Sequence, residues 1–218
     1  MQGDYASGNF DNGFRLTFFA PRSATVKMNV KYKIVLFTSG SGTNAEKIIE
    51  HFKDHPLIRV VLLLSNNPNA FALERAKKYK VPARVFSKQQ FHESEVLAWL
   101  QEREITHIVL AGFLWLIPAH LIKAFPHQIV NIHPSLLPKY GGKGMYGSRV
   151  HEAVVAAGER ETGITIHEVD AVYDEGKILF QTQCSVEPSE TPQQVADKVH
   201  ALEYANYPKV VEQWILKS

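Results

Sequence analysis

The sequence contains little of what marks several common classes of protein. One cysteine, Cys184, occurs in 218 residues, so an internal disulfide and a cysteine-rich metal centre are both excluded. The formal charge of +2, from 24 basic and 22 acidic residues, is too small to indicate nucleic acid as the main partner. No apolar stretch approaches the length of a membrane span, and there are no repeats. We therefore expect a cytoplasmic protein with neither nucleic-acid nor membrane partners.

The composition suits one domain with a full hydrophobic core. Hydrophobic residues make up 45% of the chain, and its length is ordinary for an α/β domain. Residues 1–27 differ from the rest because polar residues interrupt their phenylalanines without any sustained period. Asp4 and Asp11 also argue against a secretory signal there. We predict a disordered extension over 1–27, a functional start at Met28 and a single domain over 28–218.

From Lys33 onward, buried strands alternate with amphipathic helices. Apolar runs predict strands over 33–39, 59–66, 83–85, 105–111 and 128–133. Helices are predicted from the glycine turn at 40–44 through Phe52, and over 71–80, 89–103 and 118–125. This alternation predicts an α/β fold with a doubly wound, mostly parallel, Rossmann-like sheet and right-handed crossovers.

The last third of the chain changes character. A helix is predicted over 150–157, and strands over 162–169 and 177–186 flank a loop at 170–176. Thr191 opens a long closing helix, whose apolar side comprises Val195, Val199, Leu202, Val210, Val211 and Trp214. The glycine-rich segment 139–148 is the candidate flexible segment within the fold. We thus expect a C-terminal strand pair followed by one long helix.

An amide and an imidazole, Asn131 and His133, lie two residues apart on the predicted fifth strand. Residues with this spacing share a face, so both side chains can point at one substrate atom, as acyl chemistry requires. The prolines that follow keep the backbone extended, and we predict a cis peptide at Leu137–Pro138. The alternative is that these are ordinary polar residues at a strand end before a proline-rich turn.

A glycine turn, Gly40-Ser41-Gly42-Thr43-Asn44-Ala45, joins the first strand to the first helix. It fits the dinucleotide fingerprint, but the acidic residue that would hold a ribose is missing after the second strand, where Ser65-Asn66-Asn67-Pro68 stands. A site for a phosphomonoester, with Thr43 and Asn44 adding donors, is therefore favoured over NAD. The alternative is a tight turn with a Thr or Asn cap.

Asp174 lies in the loop between the last two predicted strands. A carboxylate beside His133 would favour the imidazolium, so we expect it to raise the pKa of His133 and make that residue a proton donor. Asp174 can equally be an ordinary turn residue. His167 is left open between a hydrogen-bonded core histidine and a supporting role at the site.

Taken together, these motifs resemble those of the phosphoribosylglycinamide formyltransferase family, the folate-dependent enzymes of purine synthesis. The resemblance runs from about Met28 to the C-terminus and rests on five segments. They are Ser39–Asn44, Ala111-Gly112-Phe113, Asn131–Tyr140, His167–Gly176, and Glu203 before Tyr207-Pro208. It implies formyl transfer from 10-formyltetrahydrofolate to the amine of glycinamide ribonucleotide, with no metal. It also implies small-molecule substrates only and a monomer or weak homodimer.

The resemblance assigns roles residue by residue. The family's catalytic triad falls on Asn131, His133 and Asp174. Its glycinamide ribonucleotide site falls on Gly42, Thr43, Asn44, His200 and Glu203. Its folate pocket falls on Leu114, Trp115, Leu116, Ile117, Asn131, Asp170, Ala171, Val172, Tyr173 and Asp174. Two segments depart from some members of the family: Phe91-His92-Glu93-Ser94, where an arginine contacts folate, and the longer loop at 141–147.

Three other functions remain as alternatives. A formyltetrahydrofolate hydrolase shares this core but carries an N-terminal regulatory domain, which 27 residues cannot form. Methionyl-tRNA formyltransferase is disfavoured because no sequence for a tRNA-binding domain follows the helix that contains Trp214. A non-catalytic nucleotide-binding module would use only the turn at Gly40 and would not depend on His133.

Overall fold

Seven strands form one mixed sheet in the computed structural model, which describes residues 30–218. The strands are β1 (Tyr32–Thr38), β2 (Ile58–Ser65), β3 (Ala83–Val85), β4 (His107–Leu110), β5 (Ile129–His133), β6 (Glu161–Glu168) and β7 (Ile178–Ser185). Their order is β3-β2-β1-β4-β5-β6-β7, in which β5-β6-β7 pair antiparallel and all other neighbours parallel. The predicted mostly parallel sheet with a C-terminal strand pair is confirmed. The predicted extension over 1–27 lies outside the described residues.

Seven helices connect these strands within residues 30–218. They are α1 (Thr43–Phe52), α2 (Ala72–Lys78), α3 (Lys88–His92), α4 (Glu95–Glu102), α5 (Ala119–Ala124), α6 (Ser148–Ala156) and α7 (Pro192–Leu216). The single helix predicted over 89–103 is wrong, because two short helices occupy that range. Ser94 separates them with φ of 67°, a left-handed conformation that ends an α-helix. The fourth strand is also shorter than predicted.

Side chains of β1 alternate between two hydrophobic cores, one on each face of the sheet. Ile34 and Leu36 pack into a core shared with α1, α2, α6 and α7. Val35 and Phe37 pack into a second core shared with α3, α4 and α5. A strand buried on both faces explains why the β1 sequence is a continuous apolar run rather than an alternating one. The prediction of a doubly wound sheet is confirmed.

The long helix α7 closes the first core, as predicted. Thr191 caps its start through a reciprocal capping box with Gln194, and Pro192 occupies its first turn. The hydroxyl of Tyr207 donates to the carbonyl of Leu110 at 2.8 Å and lies 3.4 Å from that of Val130. This buried bond ties α7 to the strands β4 and β5. No helix in the range 30–218 is long and apolar enough to span a bilayer.

The direction in which successive strands are added to the sheet reverses between β1 and β4. From β1 the chain adds β2 and β3 on one side, and then crosses to β4 and β5 on the other. Loops at the carboxyl ends of β1 and β4 consequently diverge and leave a crevice, the usual ligand site in open α/β sheets. The glycine turn after β1 and the segment after Leu110 form the two sides of this crevice.

Candidate functional site

A cavity of about 580 Å³ occupies this crevice. Its wall includes all five predicted ribonucleotide residues, all three predicted catalytic residues, and the predicted folate residues except Ala171. Ala171 is exposed outside the cavity wall. The structure therefore brings together residues that lie up to about 160 positions apart in sequence, such as Asn44 and Glu203, whose side chains hydrogen bond at 2.8 Å.

The cavity has two chemically different halves. One half adjoins the core of α1, α6 and α7 and is lined by the glycine turn at 40–44, by His151, and by His200 and Glu203 of α7. The other half adjoins the core of α3, α4 and α5 and is lined by residues 114–117 and 169–173. Leu114 and Val172 expose 44% and 51% of their surface, respectively, so this half offers apolar area to a ligand.

Asn131, His133 and Asp174 converge where the two halves meet. Nδ1 of His133 lies 3.5 Å from Oδ2 of Asp174, and both side chains are almost completely buried. Nε2 of His133 donates to the main-chain carbonyl of Tyr140 at 2.7 Å. The N–H of Gly142 donates to Oδ2 of Asp174 at 2.8 Å. The loop after β5 thus contacts both the imidazole and the carboxylate.

His167 supports this group from the neighbouring strand. It pairs directly with Asn131 across the antiparallel β5–β6 register, which brings the two side chains onto one face. Nδ1 of His167 donates to the carbonyl of Glu168 at 2.8 Å, and its Nε2 faces the side chain of Asn131. Nδ2 of Asn131 donates to that Nε2 at 3.2 Å, and Asp174 Oδ1 lies 3.5 Å from it. One amide N–H of Asn131 is therefore fixed, and the other is left for a ligand.

Asp174 does raise the pKa of His133, as expected, but the net shift of that pKa is downward, so the expectation of a readily charged proton donor is not met. Burial is the largest influence and lowers the pKa of His133, because desolvation disfavours the charged imidazole. The charge of Asp174 and the Tyr140 carbonyl both raise this pKa, but they do not overcome burial. His133 is consequently a weaker base than a free histidine.

Asp174 remains ionised in the same setting. Burial, the largest influence, would raise its pKa, but the nearby rings of His167 and His133 and the hydrogen bond from the N–H of Gly142 together lower it. Its backbone has φ of 60°, a left-handed conformation that Asp and Asn tolerate better than most residues. Both the predicted turn geometry and the predicted contact with His133 are therefore found at this residue.

The glycine turn presents the N-terminus of α1 to the cavity. Gly42 occupies the N-cap with φ of 72° and provides no side-chain cap. The first N–H groups of a helix without such a cap favour an anion. A Cβ added to Gly42 would lie 2.4 Å from Cβ of Ala72, so glycine is also required there by close packing against α2.

Glu203 is the buried acid of this half, with 6% of its surface exposed. Burial raises its pKa, and the hydrogen bond from Asn44 only partly opposes that effect. His200 lies one turn earlier on the same side of α7 and stacks on Tyr204. Asn44 is held by Glu203, so its amide is oriented before any ligand arrives.

The sequence analysis did not identify three features of the site. They are the Tyr140 carbonyl on His133, the buried His151, and Lys143, the one Lys or Arg side chain in the described cavity wall. A main-chain contact leaves no mark in sequence. His151, however, stands between Val150 and Val154 on the apolar side of α6, and a histidine there was a detectable signal. The cis peptide at Leu137–Pro138 is confirmed.

Metal chemistry has no candidate site in the described range. Among residues 30–218, no three or more His, Cys, Asp or Glu side chains are grouped so that they could hold a metal ion. Cys184 is half-buried on β7, as expected for a small strand residue, and burial raises its pKa.

Comparison with known proteins agrees with this geometry. The family model described as "Formyl transferase" matches residues 32–211. The chain belongs to the formyl transferase family. The predicted resemblance is likewise confirmed by relatives named phosphoribosylglycinamide formyltransferase. That of Bacillus subtilis is 32% identical, over 83% of this chain and 93% of its own. The chloroplastic protein of Arabidopsis thaliana is 40% identical over 82% of this chain.

Solved structures of family members share the fold as well. Glycinamide ribonucleotide transformylase 1 from Geobacillus kaustophilus is 38% identical, with a TM-score of 0.75 over 83% of this chain and 97% of its own. This chain spans 64% of the Arabidopsis relative and 60% of that from Vigna unguiculata, which are longer proteins.

Proposed function

We propose that this chain transfers the formyl group of 10-formyltetrahydrofolate to the amine of glycinamide ribonucleotide. The observation that carries the proposal is the position of Asn131, His133 and Asp174 at the junction of an anion-binding half and an apolar half of one cavity. Two substrates that occupy these halves would meet at those three side chains. The names of the family relatives support the same acceptor and the same transferred group.

The ribonucleotide fits the half lined by α1 and α7. Its phosphate would accept hydrogen bonds from N–H groups at Gly42, Thr43 and Asn44, where the helix dipole also favours negative charge. Its polar remainder would run along His200 and Glu203 toward the junction. The buried carboxyl of Glu203 would accept a hydrogen bond from the substrate amine.

The folate fits the other half of the cavity. Residues 114–117 and the loop at 170–173 provide the apolar surfaces that a flat ring system requires, with Trp115 packed against the second core. Main-chain groups of these two segments would orient the polar edge of the ring. Asn131 and Asp174 close this half at the reacting end.

The reaction that follows is direct formyl transfer. The neutral amine attacks the formyl carbon, a C–N bond forms, and the carbonyl oxygen becomes an oxyanion. The free N–H of Asn131 and the imidazole of His133 donate to that oxygen. The bond from carbon to the folate nitrogen then breaks, and that nitrogen receives the proton lost by the amine.

His133 must change partners during this reaction. Its Nε2–H donates to the Tyr140 carbonyl, and its Nδ1 faces Asp174. The negative charge of Asp174 stabilises the imidazolium, so it compensates in part for the cost of charging a buried ring. As the oxyanion develops, it replaces the Tyr140 carbonyl as the acceptor and adds a second negative charge beside the ring.

One experiment separates this function from its alternatives. The purified chain is incubated with 10-formyltetrahydrofolate, with and without glycinamide ribonucleotide, and both formyl transfer and formate release are followed. Transfer only in the presence of the ribonucleotide is expected. Formate release without it would indicate a hydrolase, and no reaction in either arm would indicate a binding module.

We also propose that residues 28–218 form a single formyltransferase domain that acts in the cytoplasm as a monomer or weak homodimer. One sheet with a core on each face supports the single domain. The lone cysteine is compatible with a reducing compartment. Sedimentation at several protein concentrations would test the oligomeric state.

A further inference from the structure

His151 is a buried histidine in the ribonucleotide half of the cavity that the proposed reaction does not use. It exposes 2% of its surface and lies in the first turns of α6, between Val150 and Val154 of the core. Its Nδ1 is buried and has no hydrogen-bond partner. Because Nδ1 is buried and His151 lines the cavity, Nε2 is the ring nitrogen that can reach a ligand there.

The unpaired atom fixes where the ring carries its proton. A proton on Nδ1 would be a buried donor without an acceptor, which costs more than a lone pair left without a donor. The neutral ring therefore carries its proton on Nε2. Burial, the largest influence, lowers the pKa of His151 to about 4, so the ring is neutral at physiological pH. His151 thus presents a single uncharged N–H donor.

The neighbours of His151 show which part of the substrate this donor faces. Its ring centroid is 6.1 Å from that of His200, and the charge of His133 also influences it. Glu203 lies one turn beyond His200 on α7 and holds Asn44 of the glycine turn. Along this wall, His151 therefore lies between the catalytic His133 and the phosphate-binding end.

We infer that His151 is a specificity residue whose Nε2–H donates to an uncharged oxygen in the middle of the acceptor substrate, between its phosphate and its amine. A ribose oxygen and the carbonyl oxygen of the glycinamide arm both provide this acceptor chemistry. The inference rests on the proposed function because it places the acceptor's phosphate at Gly42–Asn44 and its amine at His133. The bond favours acceptors with such an oxygen over simple amines.

Two substitutions and one control test this inference. His151→Leu removes the donor with little change in volume, whereas His151→Gln places an amide N–H near the position of Nε2. Ala156→Ser, at an exposed position near the end of α6, is the control. Binding of glycinamide ribonucleotide is measured by calorimetry without folate, and KM and kcat are measured with folate.

We expect His151→Leu to weaken binding and raise KM by about 10-fold, while kcat changes by less than about 3-fold. His151→Gln should recover most of the affinity. The same fold-loss is expected with the dephosphorylated ribonucleoside, because the contact does not involve the phosphate. Measurements with glycinamide alone show which oxygen is the acceptor. If His151→Leu still weakens binding of glycinamide, the acceptor is the amide oxygen. If binding of glycinamide is unchanged, the acceptor is a ribose oxygen.

A loss confined to the phosphorylated acceptor would overturn the inference, as would unchanged affinity in His151→Leu. In wild-type protein, the ring nitrogens of His151 should also shift in 15N NMR spectra when the ribonucleotide is added, and unshifted signals would contradict the contact without any substitution. Ribonucleotide binding without formyl transfer would reject the proposed function alone. Normal turnover with an unaffected His151→Leu variant would reject this inference alone.

Discussion

Among individual residues, Asn131 and His133 are held in different ways. His167 fixes one amide N–H of Asn131 and leaves the other available, so the amide is oriented before substrate binds. His133 is occupied at both nitrogens, by the Tyr140 carbonyl and by Asp174. In the proposed reaction, Asn131 would therefore be ready to stabilise an oxyanion, whereas His133 would become available only as its contact with Tyr140 is exchanged.

Replacing Asn131 tests the first of these roles. Asn131→Ala removes a preoriented donor to the oxyanion, and we expect kcat to fall by about 10²- to 10³-fold. KM should change little, since the donor acts mainly in the transition state. Steady-state kinetics with the acceptor ribonucleotide measures both constants. A rise in KM with unchanged kcat would show that Asn131 binds substrate instead.

The charge of Asp174 determines how readily His133 is protonated. Burial lowers the pKa of His133, and the Asp174 carboxylate opposes that decrease. Asp174→Asn retains the shape and suits the left-handed backbone at this position, but it removes the charge. We expect the pKa of His133 to be lower in this variant than in the wild-type protein. Titration of the imidazole by NMR measures this, and an unchanged or higher pKa would contradict it.

At the level of helices and strands, the ends of these elements determine where the candidate site lies. The apolar runs predicted the buried strands well, because continuous apolar sequence in a parallel sheet has few other solutions. The break at Ser94 was not predicted, because a left-handed serine gives no periodic signal. Likewise, Tyr140 contacts His133 through its carbonyl, which any residue type could supply.

A substitution at Gly42 tests the N-terminus of α1, which would bind the phosphate. Gly42→Ala forces a Cβ to within 2.4 Å of Ala72 and requires φ of 72°, so α1 and α2 must separate. We expect the free energy of unfolding to fall by about 1–3 kcal/mol, as for other overpacking changes. KM for the ribonucleotide should also rise as the helix N-terminus shifts.

Gly40→Ala is the matched stability control, because a Cβ there meets nothing within 4 Å. Its free energy of unfolding should change by less than about 0.5 kcal/mol. Urea denaturation of both variants makes the comparison. Equal destabilisation would show that the packing against Ala72 is not the reason for glycine at position 42.

For the molecule as a whole, one sheet with a core on each face places the candidate site in the crevice between the carboxyl ends of β1 and β4. Sequence predicted the sheet, and nearly all of the predicted site residues line the cavity, because motifs at strand ends meet at one edge of a parallel sheet. It could not predict the direction of the His133 pKa shift, which depends on how deeply the folded chain buries the ring. Nor could the sequence show that Nδ1 of His151 is buried without a hydrogen-bond partner.

Buried histidines also make the stability of the whole fold sensitive to acid. His107 is buried beneath Trp214 at the start of β4, and burial lowers its pKa from 6.5 to about 4. Because the folded pKa is below the unfolded one, the stabilisation is complete above pH 6.5 and is lost as pH falls toward 4. That difference corresponds to about 3 kcal/mol at roughly 1.4 kcal/mol per pKa unit.

His107→Gln should therefore make the free energy of unfolding less dependent on pH between 6.5 and 4. We expect its free energy of unfolding to fall by about 3 kcal/mol less than that of the wild type between pH 6.5 and 4. His92→Gln, at an exposed position on α3, should follow the wild-type curve. Denaturation at a series of pH values provides the comparison. Parallel curves for His107→Gln and wild type would show that acid acts through other groups.

The most direct measurement of the central proposal is formyl transfer by wild-type protein and by His133→Asn, with 10-formyltetrahydrofolate and glycinamide ribonucleotide together. We predict ribonucleotide-dependent transfer by the wild type and a kcat lower by about 10²- to 10⁴-fold in the folded variant. Transfer at the wild-type rate by His133→Asn, or formyl release that does not depend on the ribonucleotide, would contradict the proposed function.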